Sequence, residues 1–321
     1  MKSKYSTVLA LMLLLYPNTD VLPGWKISTK PVKFVGGDGE TYLRPVWSPD
    51  DKWIAFTKPG YKGIWIKHVE SGELKQISDE PAAGFGFSWA NNSSAIASRV
   101  ARFEGRKRIN EVKVFDLVDE SSHVISDSKM RFRGLPRWSH DDQFIYILGK
   151  RNLFVFESGM KVTSERSISP NHEMYYLKSG KIIVEKAELK SKHVYEPIKG
   201  MRYINLTVSP DRTKFAFEVI GGSMHVMNSD GTNLVNLGTG YRPQWSPDSQ
   251  YLVYMITEDD GHRFTQSDIY AIKIDGSEKS KLTDTNNILE MNPNWSPVSK
   301  RIAFDTYVEG AIYLVAIEKS N

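Results

Sequence analysis

Trp47-Ser48-Pro49-Asp50 returns as Trp245-Ser246-Pro247-Asp248 and, with one change, as Trp295-Ser296-Pro297-Val298. Weaker copies stand at Trp89-Ala90-Asn91-Asn92, Trp138-Ser139-His140-Asp141, Val208-Ser209-Pro210-Asp211 and, weakest, Ile168-Ser169-Pro170-Asn171. An apolar run of strand type follows each copy within a few residues, at 53–56, 95–97, 144–148, 174–177, 215–219, 251–255 and 302–304. Ser and Asp favour a turn through side-chain bonds to nearby backbone, and Pro presets φ for its second position. The motif is therefore a turn between two strands, and the Trp before it offers a large flat surface for burial. One Ser-Pro-Asp would mean little, but seven in register before β-branched and aromatic runs mark a repeat.

A third strand is legible in most units, at 64–68, 112–116, 153–156, 224–227 and 269–274. Ser71-Gly72, Ser158-Gly159, Asp230-Gly231 and Asp275-Gly276 follow it and supply the positive φ that hairpin turns require. Four short antiparallel strands per unit, repeated at spacings of 30 to 50 residues, describe propeller blades. The expected fold is all-β: a single β-propeller of four-stranded antiparallel blades, seven in number, or six if Ile168 does not begin a unit. The segment 30–35 resembles the last strand of a unit that has lost its beginning, and the final unit ends without a fourth strand. Pairing of 30–35 with 312–317 would close the ring and remove two exposed sheet edges.

The chain has 321 residues, of which 40% are hydrophobic and 12% aromatic, so a large core is available. Its 42 Lys and Arg against 38 Asp and Glu leave a net charge of +4, which points away from a nucleic-acid partner and makes any basic surface a local one. The absence of cysteine removes disulfides, thiolate metal sites and cysteine nucleophiles. Lys2 and Lys4 precede an apolar run at 7–16, and the breakers Pro17, Asn18 and Pro23 follow, which is the layout of a secretory signal. Residues 1–23 are thus expected to be a signal peptide and 24–321 a periplasmic or secreted propeller, monomeric, with no transmembrane segment in the mature chain.

Pro two residues before Trp-Ser-Pro-Asp, a strand of Ile-Ala-Phe type after it, the run Asp268-Ile269-Tyr270-Ala271-Ile272-Lys273-Ile274-Asp275-Gly276 and then Leu282-Thr283 resemble the TolB-type, WD40-like propeller repeat. The resemblance covers roughly residue 30 to the C-terminus and is strongest over 241–304. Such repeats also form the propellers of prolyl-oligopeptidase-type peptidases and oligogalacturonate lyases, so the resemblance implies a fold more than a function.

No Gly-x-Ser-x-Gly or His-Glu-x-x-His occurs, and the seven histidines, at 68, 123, 140, 172, 193, 225 and 262, are scattered over different units. No catalytic residue, metal or cofactor is expected. Glu258-Asp259-Asp260-Gly261 lacks the alternating spacing of a calcium loop and reads as a hairpin tip. The distinctive chemistry is basic. Arg99, Arg102, Arg106, Lys107 and Arg108, with Phe103 among them, crowd what reads as an insertion between the second and third strands of the second unit. Lys129, Arg131, Arg133 and Arg137, interleaved with Met130 and Phe132, lie in the connection to the third unit. Blade geometry brings those two connections to one face, and arginine with aromatics is what binding hot spots prefer. Arg44 and Arg242 hold one repeat position, three before the Trp, where the innermost strand begins at the channel mouth. The expected function is a non-enzymatic envelope scaffold binding a protein, peptide or acidic ligand on this face. The alternatives are a metal-dependent lyase of acidic polysaccharide and an accessory component of an envelope complex.

Overall fold

The computed structural model describes residues 24–150, 153–160, 173–186, 191–285 and 288–320. The expected signal segment, the motif copy at Ile168 and His172 lie outside them. The described strands form seven antiparallel sheets, one per unit; blade 1 (43–78), blade 2 (87–124), blade 5 (203–238) and blade 6 (241–281) each have four strands, and blade 7 (290–319) has three of its own. Blade 3 is described by Arg137–Trp138, Phe144–Leu148 and Leu153–Glu157, and blade 4 by Glu173–Lys178, Lys181–Lys186 and Ser191–Tyr195.

The repeated motif works through its serine. Ser48, Ser209 and Ser246 are buried, and each hydroxyl donates to the motif Asp two residues on, at 2.6 Å. The same oxygen accepts the N–H of the residue that opens the next strand: Trp53 at 3.0 Å, Lys214 and Tyr251 at 2.9 Å. A backbone donor that the turn would leave unpaired is thereby satisfied inside the protein. Blade 7 carries Val298 at the motif's fourth position, and there Ser296 donates instead to Asp51 from blade 1. The motif tryptophans Trp47, Trp89, Trp138, Trp245 and Trp295 are all buried. Two of them tie neighbours together: Trp89 Nε1 donates to the carbonyl of Val46 in blade 1, and Trp138 Nε1 to that of Ser88 in blade 2.

Second strands are apolar on both faces because each is sandwiched between two neighbouring blades; Trp53–Lys58 and Lys214–Val219 bury all their central residues. The core is accordingly a set of layers between blades rather than one centre. Tyr42, Trp47, Ile54, Phe56, Ala303 and Ile312, for example, join blades 7 and 1.

Closure follows the expected scheme. Val32–Gly36 pairs antiparallel with the third strand of blade 7, Val32 opposite Leu314 and Gly36 opposite Ala311. A further strand, Trp25–Ile27, extends the same sheet, with Trp25 opposite Lys319 and Ile27 opposite Ile317. Trp25 is buried edge-on to Tyr251 and Trp295, at ring distances of 5.8 and 5.1 Å. One expectation is corrected. The basic stretch of blade 2 is no loop insertion: Ala95–Glu104 and Lys107–Asp116 are ten-residue strands paired along their whole length, joined by a tight turn at Gly105.

Candidate functional site

The innermost strands share a local irregularity. Arg44, Asn205, Arg242 and Asn292, three residues before the motif's first residue in blades 1, 5, 6 and 7, adopt positive φ of 59°, 52°, 56° and 50°. The pairing with the second strand shifts register at each of these points. Such a bulge turns a side chain out of the sheet and leaves a backbone N–H without its ladder partner. In blade 7 the buried Asp305 accepts the N–H of Arg44 and, at 3.0 Å, the side-chain amide of Asn292. In blade 5 the buried Glu218 accepts the N–H of Arg242 at 2.6 Å and the amide of Asn205 at 2.7 Å. One network is built twice: a carboxylate on the second strand, an Asn on its own first strand and an Arg on the first strand of the next blade. Between the two copies Met255 holds the position of the acid, and its sulfur receives the N–H of Asn292 at 3.4 Å.

These bulges border a central cavity of 770 Å³. Arg44, Arg133, Arg137, Lys150, Lys178 and Arg242 line it, and no Asp or Glu is among the described residues that do. Arg44 and Arg99 bracket an aromatic pair at the rim. The Arg44 guanidinium lies 4.8 Å from the Tyr61 ring and donates to the carbonyl of Phe85 at 3.1 Å. The Tyr61 and Phe85 rings meet edge to face at 5.0 Å, and the Arg99 guanidinium sits 5.7 Å from Phe85. Arg99 also donates to the carbonyl of Gly134 at 2.8 Å, and Arg137 to that of Leu206 at 3.2 Å. Burial, together with the charge of Arg242, lowers the pKa of Arg44; burial, together with Arg108, lowers that of Arg99. A carbonyl satisfies geometry but leaves the charge uncompensated, so these groups are ready for an oxyanion.

The expected basic residues therefore divide. Arg44, Arg242, Arg133 and Arg137 reach the cavity, and Arg99 ties the base of the blade 2 hairpin to the carbonyl of Gly134 in the connection to blade 3. Phe103, Arg106, Lys107 and Arg108 are exposed at the hairpin tip, and Lys129 and Arg131 are exposed as well. Arg102 is already paired with Glu104 at 2.5 Å and Glu111 at 3.1 Å. Phe132 is not an exposed anchor: it is buried between blades 2 and 3, packed edge-on against Phe154 and Phe156. Lys150, Lys178 and the tyrosines Tyr146, Tyr175 and Tyr176 complete the wall and were not singled out in the sequence. None of the described histidines lines the cavity, and among the described residues no three His, Asp or Glu stand close enough to share a metal ion. No helix among them is long and apolar enough to cross a membrane.

No protein-family model matches the sequence, and no curated protein does. Solved structures resemble it. The chain is 17% identical to TolB from Acinetobacter baumannii over 79% of its own length, with a TM-score of 0.51, and spans 57% of that protein. It is 12% identical to an oligogalacturonate lyase from Vibrio parahaemolyticus, covering 92% of this chain and 97% of the other, with a TM-score of 0.60. The β-propeller domain of Cps50 (Swd1) from Myceliophteria thermophila superposes with a TM-score of 0.58 at 10% identity, covering 91% of this chain and 99% of the other. At these identities the likeness is one of fold, and the chain is a seven-bladed propeller resembling the TolB-like and WD40 propellers.

Proposed function

We propose that this propeller is an exported binding scaffold whose channel mouth receives an acidic peptide segment of a partner protein in the cell envelope. The observation that carries the reading is the cavity wall, where Arg44, Arg133, Arg137, Lys150 and Arg242 lie together and no Asp or Glu is among the described lining residues. In the same wall Phe85 and Leu135 remain 41% and 40% exposed. Arginine beside exposed aromatic and aliphatic side chains is the composition of protein-binding hot spots rather than of a merely solvated rim. Export rests on Lys2, Lys4 and the apolar run at 7–16.

The test is kinetic. Binding of an acidic peptide to Arg44→Glu/Arg242→Glu protein should begin about tenfold or more slowly at low salt, and the parent's association rate should fall as ionic strength rises, since exposed charges are screened beyond about 8 Å at physiological salt. Charge reversal of Arg102, Arg106 and Arg108, one of them already paired within the hairpin, should have the smaller effect. Equal binding by parent and Arg44→Glu/Arg242→Glu protein would place the binding face elsewhere. A polyuronate would meet the same cations, so release of unsaturated sugars from polygalacturonate by the purified chain would turn the reading towards an enzyme.

A further inference from the structure

Behind each of the two mouth arginines lies a buried acid that binds the arginine's own backbone. Asp305 is 2% exposed and Glu218 is 4% exposed, so neither can exchange its partners for water. Three elements face Asp305: Arg44 from the first strand of blade 1, Arg242 from that of blade 6 and Asn292 from its own blade. Glu218 faces Arg242 and Asn205. Each carboxylate thus lies close to guanidinium charge that an incoming anion would also use, bonded to an arginine's backbone rather than paired with its side chain. An anion and a buried carboxylate cannot both be fully favourable neighbours of the same cation at low dielectric, because they repel each other across it.

We infer that binding of an acidic segment at Arg44 and Arg242 is linked to uptake of a proton by the buried acids beneath them, chiefly Asp305, so that this channel mouth holds its partner more tightly as the surroundings acidify. The inference rests on the reading of the mouth as the site for an acidic peptide and adds how that site is regulated. Protonation removes the negative charge under the arginines while leaving their positive charge in place. The Asp305 carboxyl is well placed for this, since burial has already brought it to about 7 in the free protein. An anion overhead raises it further. Linkage then makes the reverse hold: a proton on Asp305 raises affinity for the anion by the factor that the anion raises affinity for the proton. The sign is fixed. Affinity is constant above the bound-state pKa, climbs as pH falls between the bound and free values, and levels off below the free value. A displacement of about one unit makes binding about fivefold tighter at pH 6 than at pH 8.

The experiment is calorimetric titration of the intact chain with a hexa-aspartate peptide, blocked at both ends, at pH 6, 7 and 8 in two buffers of different ionisation enthalpy. The peptide stays ionised throughout, because its carboxyls titrate near 4. Expected are the roughly fivefold change and, at pH 7, uptake of a fraction of one proton per peptide. Asp305→Asn, whose side-chain oxygen can still accept from the Arg44 N–H, should bind the peptide with most of the pH dependence gone. Parent protein that binds equally at pH 6 and 8 with no buffer-dependent heat would overturn the inference while leaving the binding site standing. No binding by the parent at any of the three values would overturn both. The parent measurement decides even if Asp305→Asn does not fold.

Discussion

Ser246 shows how much a single side chain can carry in this fold. Its hydroxyl is 1% exposed, donates to Asp248 and receives the N–H of Tyr251. Ser246→Ala should cost about 1–3 kcal/mol, because the Tyr251 N–H is left without a partner away from water. Ser277 makes a similar bond to Asp275 at 2.5 Å on an exposed turn, and Ser277→Ala should stay within about 0.5 kcal/mol. Urea denaturation of the two variants checks the contrast, and equal losses would mean that the motif is only a turn signal. Phe132→Ala belongs to the same scale. Buried between blades, it should destabilise the protein by about 3–5 kcal/mol, rather than speed the release of a bound partner.

At the scale of elements, the two N-terminal strands decide whether the ring is closed. Val32–Gly36 completes the sheet of blade 7, and Trp25–Ile27 adds a buried indole against Tyr251 and Trp295. Removing residues 24–36 would open the third strand of blade 7 as an edge and uncover those rings. The truncated protein should aggregate or lose its cooperative melting transition. Trp25→Ala alone, which keeps the backbone pairing, should fold and lose about 3–5 kcal/mol. A truncated chain that melts like the parent would show that the closing strands contribute nothing to stability. The blade 2 hairpin is different in kind: its ten-residue strands run past the blade and carry Arg102, Phe103 and Arg106 out to an exposed tip.

At the scale of the whole molecule, buried acids set the response to pH. Burial brings both Asp305 and Glu290 to about 7, well above the 3.8 and 4.5 of free side chains, and Glu290 Oε2 is buried without a hydrogen-bond partner. Between about pH 4.5 and 7 the folded protein therefore holds protons that the unfolded chain has released. Stability should fall as pH rises through that window, by at most about 1.4 kcal/mol per unit for each group, and level off above it. Glu290→Gln should flatten the curve, as read from urea midpoints at pH 5, 6, 7 and 8. A parent curve already flat over that range would mean that neither acid holds its proton in the folded state.

The sequence by itself determined the fold, because the physics of the repeat is local. Ser48-Pro49-Asp50 writes its own turn, the apolar runs after it form strands that must be buried, and the segment 30–35 reads as a strand that pairs outside its own unit. Arg44 and Arg242 could be assigned to the channel mouth by repeat position alone. Only the tertiary structure could decide which charges remain uncompensated. Arg102 meets Glu104 and Glu111 within one hairpin, whereas Arg44 meets an acid 261 residues away that binds its backbone and leaves its guanidinium to the cavity. Phe132 was misread for a related reason, since an aromatic among arginines in a connection gives no sign of which blade it will pack beneath. Asp305 and Glu218 share one repeat position and could have been found by superposing the units. Their role could not, because the charge a buried acid feels depends on the neighbouring blades that closure brings against it.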